Sequence, residues 1–304
     1  MVRCIEDNKG VVRNNSEVEE IIVRDGVATG VRLSDGTEYI ANRAVVCNVG
    51  PTLIFGDGKM VDSVHLDEKF LRQVKRFRPG NVALFTPHYA LNEAPLWKAA
   101  DKNPPLNNVW DVCVCEDPGV LKRQMADIKK GIVPKDLGYM VVMCTKKDPT
   151  QAPSGKHTAF IWQYAPNTDI VEGGANKYDE IKKEYADEIT EHWSRYCPNI
   201  TKNNILARYD DTPLEIIRRN PSMIGGDFSG GAMDQDQLGT FRPFHGYPPY
   251  RTPIENLYMC GPNCHPGGGC SGAAGYNAAN VIADDFKIEK WWKPFVYIPP
   301  EQRE

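Results

Sequence analysis

The chain has 304 residues, 41% apolar and 25% charged, which gives room for about two domains and excludes a disordered, collagen-like or coiled-coil polypeptide. Its 36 Lys and Arg against 40 Asp and Glu leave a formal charge of −4, so small molecules or proteins are the expected partners and nucleic acid is not. No apolar run approaches the ~18 residues needed to span a bilayer, and residues 1–7 have no signal-peptide core, so a cytoplasmic location is expected. Nine cysteines, an odd number without an export signal, read as reduced thiols that mostly serve packing.

Residues 18–23 read as a strand, Asp25-Gly26 as a hairpin turn, 27–33 as a second strand, and Asp35-Gly36 as a second turn before 37–40. This predicts a small β-meander. Residues 44–49 are continuously apolar and closed by Gly50-Pro51, the pattern of a strand buried on both faces in an α/β sheet. An α/β domain normally opens on its own strand and helix, so half of this one is expected to lie elsewhere. From about residue 60 to 205 the chain becomes Pro-punctuated and aromatic, with strand-like runs at 137–144 and 157–164. Residues 180–196 predict a helix with Ile181, Tyr185, Ile189 and Trp193 on one stripe. Cys113 and Cys115 alternate along an expected strand, where core packing is their favoured role. Residues 206–219 are expected to return toward the first domain, and 221–253 to form a loop. The expected division is 1–58 and 206–286 for an α/β domain, 59–205 for an inserted α+β substrate domain, and 287–304 for a tail.

The most informative stretch, 256–279, reads strand, glycine loop, helix. Gly267, Gly269 and Gly272 satisfy G-x-G-x-x-G, in which glycines admit a pyrophosphate and the next helix aims N–H groups at its charge. A primary dinucleotide fingerprint needs a βαβ unit and an acid about 20 residues further on. Only 32 residues follow Gly272, so this loop does not open such a unit. A turn that simply packs a small-residue helix against a sheet is the plainer alternative. Cys260, Cys264, His265 and Cys270, with His245 nearby, have the chemistry for zinc or an iron–sulfur cluster, but their spacings match no standard knuckle and no metal is expected.

The pattern T-P-x-x-N-L-Y-x-C-G-x-x-x-H-P-G-G-G-x-S-G-A-x-G-x-N-A-A, from Thr252 to Ala279, resembles the C-terminal signature of phytoene-desaturase-like FAD/NAD(P)-dependent oxidoreductases. The branch it resembles most includes pyridine nucleotide-disulphide oxidoreductase domain-containing protein 2. The likeness extends to 18–51, to Asp148-Pro149, Gly155-Lys156-His157 and Gln163-Tyr164-Ala165-Pro166, and to 212–219 and 237–243. It implies the C-terminal portion of a split Rossmann-like, GR2-type fold with β-meander, an inserted α+β substrate domain, and FAD as cofactor. The implied reaction is hydride transfer between a carbon centre of an apolar or alicyclic substrate and flavin.

By the same resemblance, Val18 matches the position that clasps the adenine, Gly261 and Pro262 the turn beside the pyrophosphate, and Cys270, Ser271, Gly272 and Ala273 the helix start facing the flavin ring. Family members carry their G-x-G-x-x-G and ribose-binding Glu upstream of the meander, and no such element precedes Val18 here. This implies a second polypeptide supplying the ADP-binding half and a hetero-oligomer, or else a loss of flavin binding. Arg242, His245, Tyr247 and Tyr250 are weak catalytic candidates. A redox-neutral flavin isomerase and a flavin-free assembly protein remain alternatives. The basic, aromatic residues 287–293 suit a membrane surface, although docking onto the body or a partner is favoured.

Overall fold

Asp25 and Gly26 adopt left-handed backbone (φ 51° and 80°), which suits a hairpin turn that follows strand twist, and they join β1 (Val18–Arg24) to β2 (Val27–Leu33). A second antiparallel pairing adds β3 (Glu38–Ile40), completing the meander. The computed structural model describes residues 1–56, 60–269 and 271–293. Ahead of the meander a short helix, α1 (Val2–Asp7), buries none of its residues. After it come β4 (Val45–Cys47), α2 (Pro51–Phe55) and α3 (Glu68–Arg76), the last capped by Asp67, whose Oδ1 accepts from the Phe70 N–H at 2.7 Å. Phe55, Phe70 and Phe244 pack edge to face, with ring centroids 4.6–6.0 Å apart.

The chain forms two compact units, residues 1–78 with 233–304, and residues 79–232. The first division therefore falls twenty residues beyond the expected 58/59 boundary. Phe70 and Val74 of α3 are buried in the first unit's core, and the Arg78 N–H donates to Gln237 Oε1 at 2.9 Å within that unit. The Gly80 N–H instead donates to Asp227 Oδ2 at 2.7 Å within the second.

The second unit contains β5 (Val82–Leu91), β6 (Asp111–Val114), α4 (Pro118–Lys129), β7 (Tyr139–Val142), β8 (His157–Pro166), α5 (Lys177–Tyr196), β9 (Ile205–Asp211) and α6 (Pro213–Arg219). Its antiparallel sheet runs β6-β7-β8-β5-β9. Helix α5 starts a turn earlier than its periodicity indicates and buries Tyr185, Ile189 and Trp193 with Phe85, Tyr89, Val141 and Ile161 of one sheet face. Two expectations change here. Residues 206–219 stay in this unit, because β9 pairs with β5 along Thr86–Leu91. Cys113 and Cys115 are exposed: β6 is an edge strand that ends at Val114, and the Cys115 thiol bonds the Asp117 carbonyl at 3.0 Å. Among the described residues no helix is long and apolar enough to cross a membrane.

His88, His157 and His192 of this unit all lie below the ordinary imidazole pKa, each chiefly through burial. In the window just below the ordinary value the unfolded chain binds more protons, so stability rises with pH there. The thermal midpoint is expected to fall as the pH goes from about 7 to about 5. Calorimetry showing a flat midpoint across that window would contradict the partial desolvation of these rings.

The chain returns to the first unit for β10 (Leu257–Met259) and α7 (Ala273–Asp285). Strand β10 pairs in parallel with β4, the Val45 N–H donating to the Asn256 carbonyl and the Cys260 N–H to the Cys47 carbonyl, both at 2.9 Å. The apolar run at 44–49 is thus a three-residue strand, not one buried on both faces: Val45 is buried, whereas Val46 is 46% exposed. Pro51 opens α2 almost at once, and β4 pairs with β10 alone among the described strands.

Candidate functional site

Both strands of the parallel pair end beside one another, and the loops that leave them touch. A Cβ on Gly261 would stand 2.2 Å from Asn48 Oδ1, so glycine here leaves room for the Asn48 side chain against the turn. The Pro262 carbonyl accepts from Arg242 Nε at 3.2 Å and Nη2 at 2.9 Å, which clamps the turn after β10. Gly267, Gly269 and Gly272 hold φ values of 114°, 120° and 66°, backbone that other residues rarely adopt. Apart from chain neighbours, a Cβ added at Gly269 or Gly272 would meet none of the described residues within 4 Å, so the loop borders open space.

Gly272 is the N-cap of α7 and supplies no side-chain cap, and no acidic residue occupies the first turn. The Ala273 N–H is met by Ser271 Oγ at 3.2 Å. The positive end of this helix therefore lacks a carboxylate of its own and is suited to an anion. Ala274, Ala278 and Ala283 are the buried positions of α7, small enough for close packing. Glycine loop and helix start so bring Gly261, Pro262, Ser271, Gly272 and Ala273 into one continuous segment. Cys270 lies outside the described residues. Val18 stands at the start of β1 opposite Leu33, in the separate meander sheet.

The four catalytic candidates divide. Arg242 is buried and donates to the Pro262 and Gln237 carbonyls. The Tyr250 hydroxyl donates to the His265 carbonyl and accepts from Asn277 Nδ2, both at 2.8 Å, tying the loop to α7. Tyr247 packs edge to face on Phe70 at 5.2 Å. These three border a cavity of about 730 Å³ along α7 that Phe244, Tyr276 and Val281 also line. His245 stacks on Phe241 at 4.6 Å and 13° and borders a different cavity, of about 360 Å³. Burial pushes the Cys47 and Cys264 thiols up to about 12, which favours protonated sulfur over thiolate. Among the described residues no group of three or more His, Cys, Asp or Glu is placed to hold a metal ion.

The sequence is 29% identical to one of the subunits of limonene dehydrogenase from Castellaniella defragrans over 92% of this chain and 52% of that protein. It is 32% identical to pyridine nucleotide-disulfide oxidoreductase domain-containing protein 2 of Mus musculus over 86% of this chain and 45% of that one. With neurosporene-forming phytoene desaturase of Rhodobacter capsulatus it shares 28% over 95% of this chain and 52% of that protein. The chain belongs to the phytoene-desaturase-like oxidoreductase family. It spans about half the length of these relatives. A solved oxidoreductase from Methanosarcina mazei matches 92% of this chain and 51% of its own at a TM-score of 0.54 and 17% identity, a likeness of mixed α/β fold. No protein-family model matches the chain.

In this phytoene-desaturase-like chain the second unit holds a feature that sequence analysis missed. The sheet face turned away from α5 carries His88, Met140, Phe160, Trp162, Tyr164 and Tyr209, since residues opposite one another in antiparallel strands share a face. Trp162, Tyr164 and Tyr209 are 40%, 38% and 47% exposed. The signal was present in β8, where aromatics at 160, 162 and 164 alternate with the buried Ala159, Ile161 and Gln163. Aromatic content alone did not say which side faced solvent.

Proposed function

We propose that the chain is a subunit of an FAD-dependent oxidoreductase of the desaturase or dehydrogenase type, acting on an apolar or alicyclic substrate. The observation that carries this is the parallel β4–β10 pair running through a glycine loop, open at Gly269 and Gly272, into a start of α7 that has no carboxylate of its own. Those residues fit the cofactor: Gly269 and Gly272 leave room for it, and the α7 start offers N–H groups without a competing carboxylate. Gly261, Pro262, Ser271, Gly272 and Ala273 would hold it, with Cys270 in the same segment and Val18 contributing backbone from the meander. When bound, FAD supplies a two-electron acceptor for hydride from carbon. Arg242 and Tyr250 keep the loop in shape through its carbonyls. The aromatic face of the second unit supports an apolar substrate.

The free edge of β4 supports completion of the site by a partner polypeptide that carries the ADP-binding half. Backbone groups alternate sides along a parallel strand, and those of Val45 and Cys47 serve β10, so those of Val46 point to the other edge. The relative from Castellaniella defragrans is itself named as a subunit. Co-expressed with an ADP-binding half, the chain should purify as a yellow complex with about one flavin per pair, bleached by limonene or a related alicyclic hydrocarbon without oxygen. A colourless complex would overturn this function.

A further inference from the structure

His88 lies in the middle of the aromatic sheet face, its ring centroid 5.7 Å from Phe160 and 6.4 Å from Tyr209. Neither ring nitrogen bonds any described residue, so the exposed imidazole meets solvent beside these rings. Next to it on the same face is Asp211, because Thr86 pairs with Asp211 as His88 pairs with Tyr209. Asp211 is 5% exposed; Arg219 holds its Oδ2, and its Oδ1 bonds no described residue. The charged groups acting on His88 are Asp211, Arg219 and Asp210. Although the residue is exposed, the surrounding rings displace water from the imidazole and hold it below its ordinary pKa; Arg219 adds to this, and Asp211 and Asp210 oppose it. At neutral pH the ring is therefore uncharged, with one donor and one acceptor nitrogen. Either neutral tautomer leaves one ring nitrogen as an acceptor.

A pure hydrocarbon lying on this face would remove the imidazole from water and return no hydrogen bond, at the cost of an unmet buried acceptor. A hydroxyl meets that nitrogen, and the skeleton still covers the aromatic rings. We infer that the sheet face of the second unit binds an apolar molecule bearing one hydroxyl group, which donates to His88 while the hydrocarbon lies across Phe160, Trp162 and Tyr209. This rests on the proposed apolar-substrate function and adds, within that class, a preference for alcohols over the matching hydrocarbons.

The test measures calorimetric binding of menthol and of p-menthane, two C10 alicyclic molecules that differ by one hydroxyl, to the flavin-containing complex. Menthol should bind at least about tenfold more tightly, the scale of one well-placed hydrogen bond. His88→Phe keeps an aromatic ring without an acceptor and should bring the two affinities within about twofold, with p-menthane binding at least as tightly as to the unaltered protein. His88→Gln retains an acceptor and should keep the preference for menthol. Equal affinities in the unaltered protein, no binding of either probe, or a preference that survives His88→Phe would each overturn the inference. Flavin content is read on the same samples: its loss counts against the oxidoreductase function, whereas a flavin-loaded complex without a His88-dependent preference overturns the inference alone.

Discussion

Replacing Gly272 by Asp is expected to lower the flavin content of the assembled protein at least about tenfold, while its fold persists. Gly272 occupies left-handed backbone (φ 66°, ψ 4°), which Asp and Asn tolerate better than other residues that carry a Cβ. Apart from its chain neighbours, no described residue lies within 4 Å of the added Cβ, so the new side chain displaces none of them. It enters instead the open space at the start of α7, where a carboxylate would meet the helix N–H groups and repel the cofactor's phosphates. Gly272→Asn has the same size without the charge and should retain more flavin than Gly272→Asp. Visible absorbance of the purified complexes measures both. Undiminished flavin in Gly272→Asp would remove the α7 start from the cofactor site.

Val46→Pro should abolish assembly with the ADP-binding half and leave the chain's own fold in place. The bonds between β4 and β10 use the Val45 N–H and the Cys47 carbonyl, so proline at 46 removes no donor from that pair. It removes the donor on the other edge and sets a ring where an incoming strand would approach. Val45 is already in a strand, the conformation preferred before proline. Circular dichroism should match the unaltered chain, and co-purification of the partner should fall at least about tenfold. Normal co-purification would show that the partner docks elsewhere.

Several elements could be read directly from the sequence because their causes are local. The Asp25-Gly26 turn needs positive φ at neighbouring residues, and a single dipeptide signals it. Helix α5 was visible because Tyr185, Ile189 and Trp193 repeat at helical spacing, and burial of that stripe is what fixes the helix on its sheet. The glycine loop was legible for the same reason: residues that must do without a Cβ are named in the sequence, and Gly261, Gly267, Gly269 and Gly272 each occupy a close approach or a left-handed conformation.

Other features depend on partners far away in the chain. Residues 205–211 look like a link between domains until β5, more than a hundred residues earlier, takes them as its neighbour and sets the second unit's extent. Strand β4 looked buried on both faces because an apolar run records what a strand can bury, while its neighbours decide what it does bury.

Cys113 and Cys115 were expected in the core by alternation, yet an edge position and the end of β6 leave them exposed. By itself the sequence determined the turns, the amphipathic helix and the glycine segment that tie this chain to its family, since each follows from steric or periodic rules spanning a few residues. Only the tertiary structure decided which side of β8 meets solvent, which edge of β4 stays open, and that His88 and Asp211 share a face. Strand register and sheet order bring distant residues together, and no local pattern encodes them.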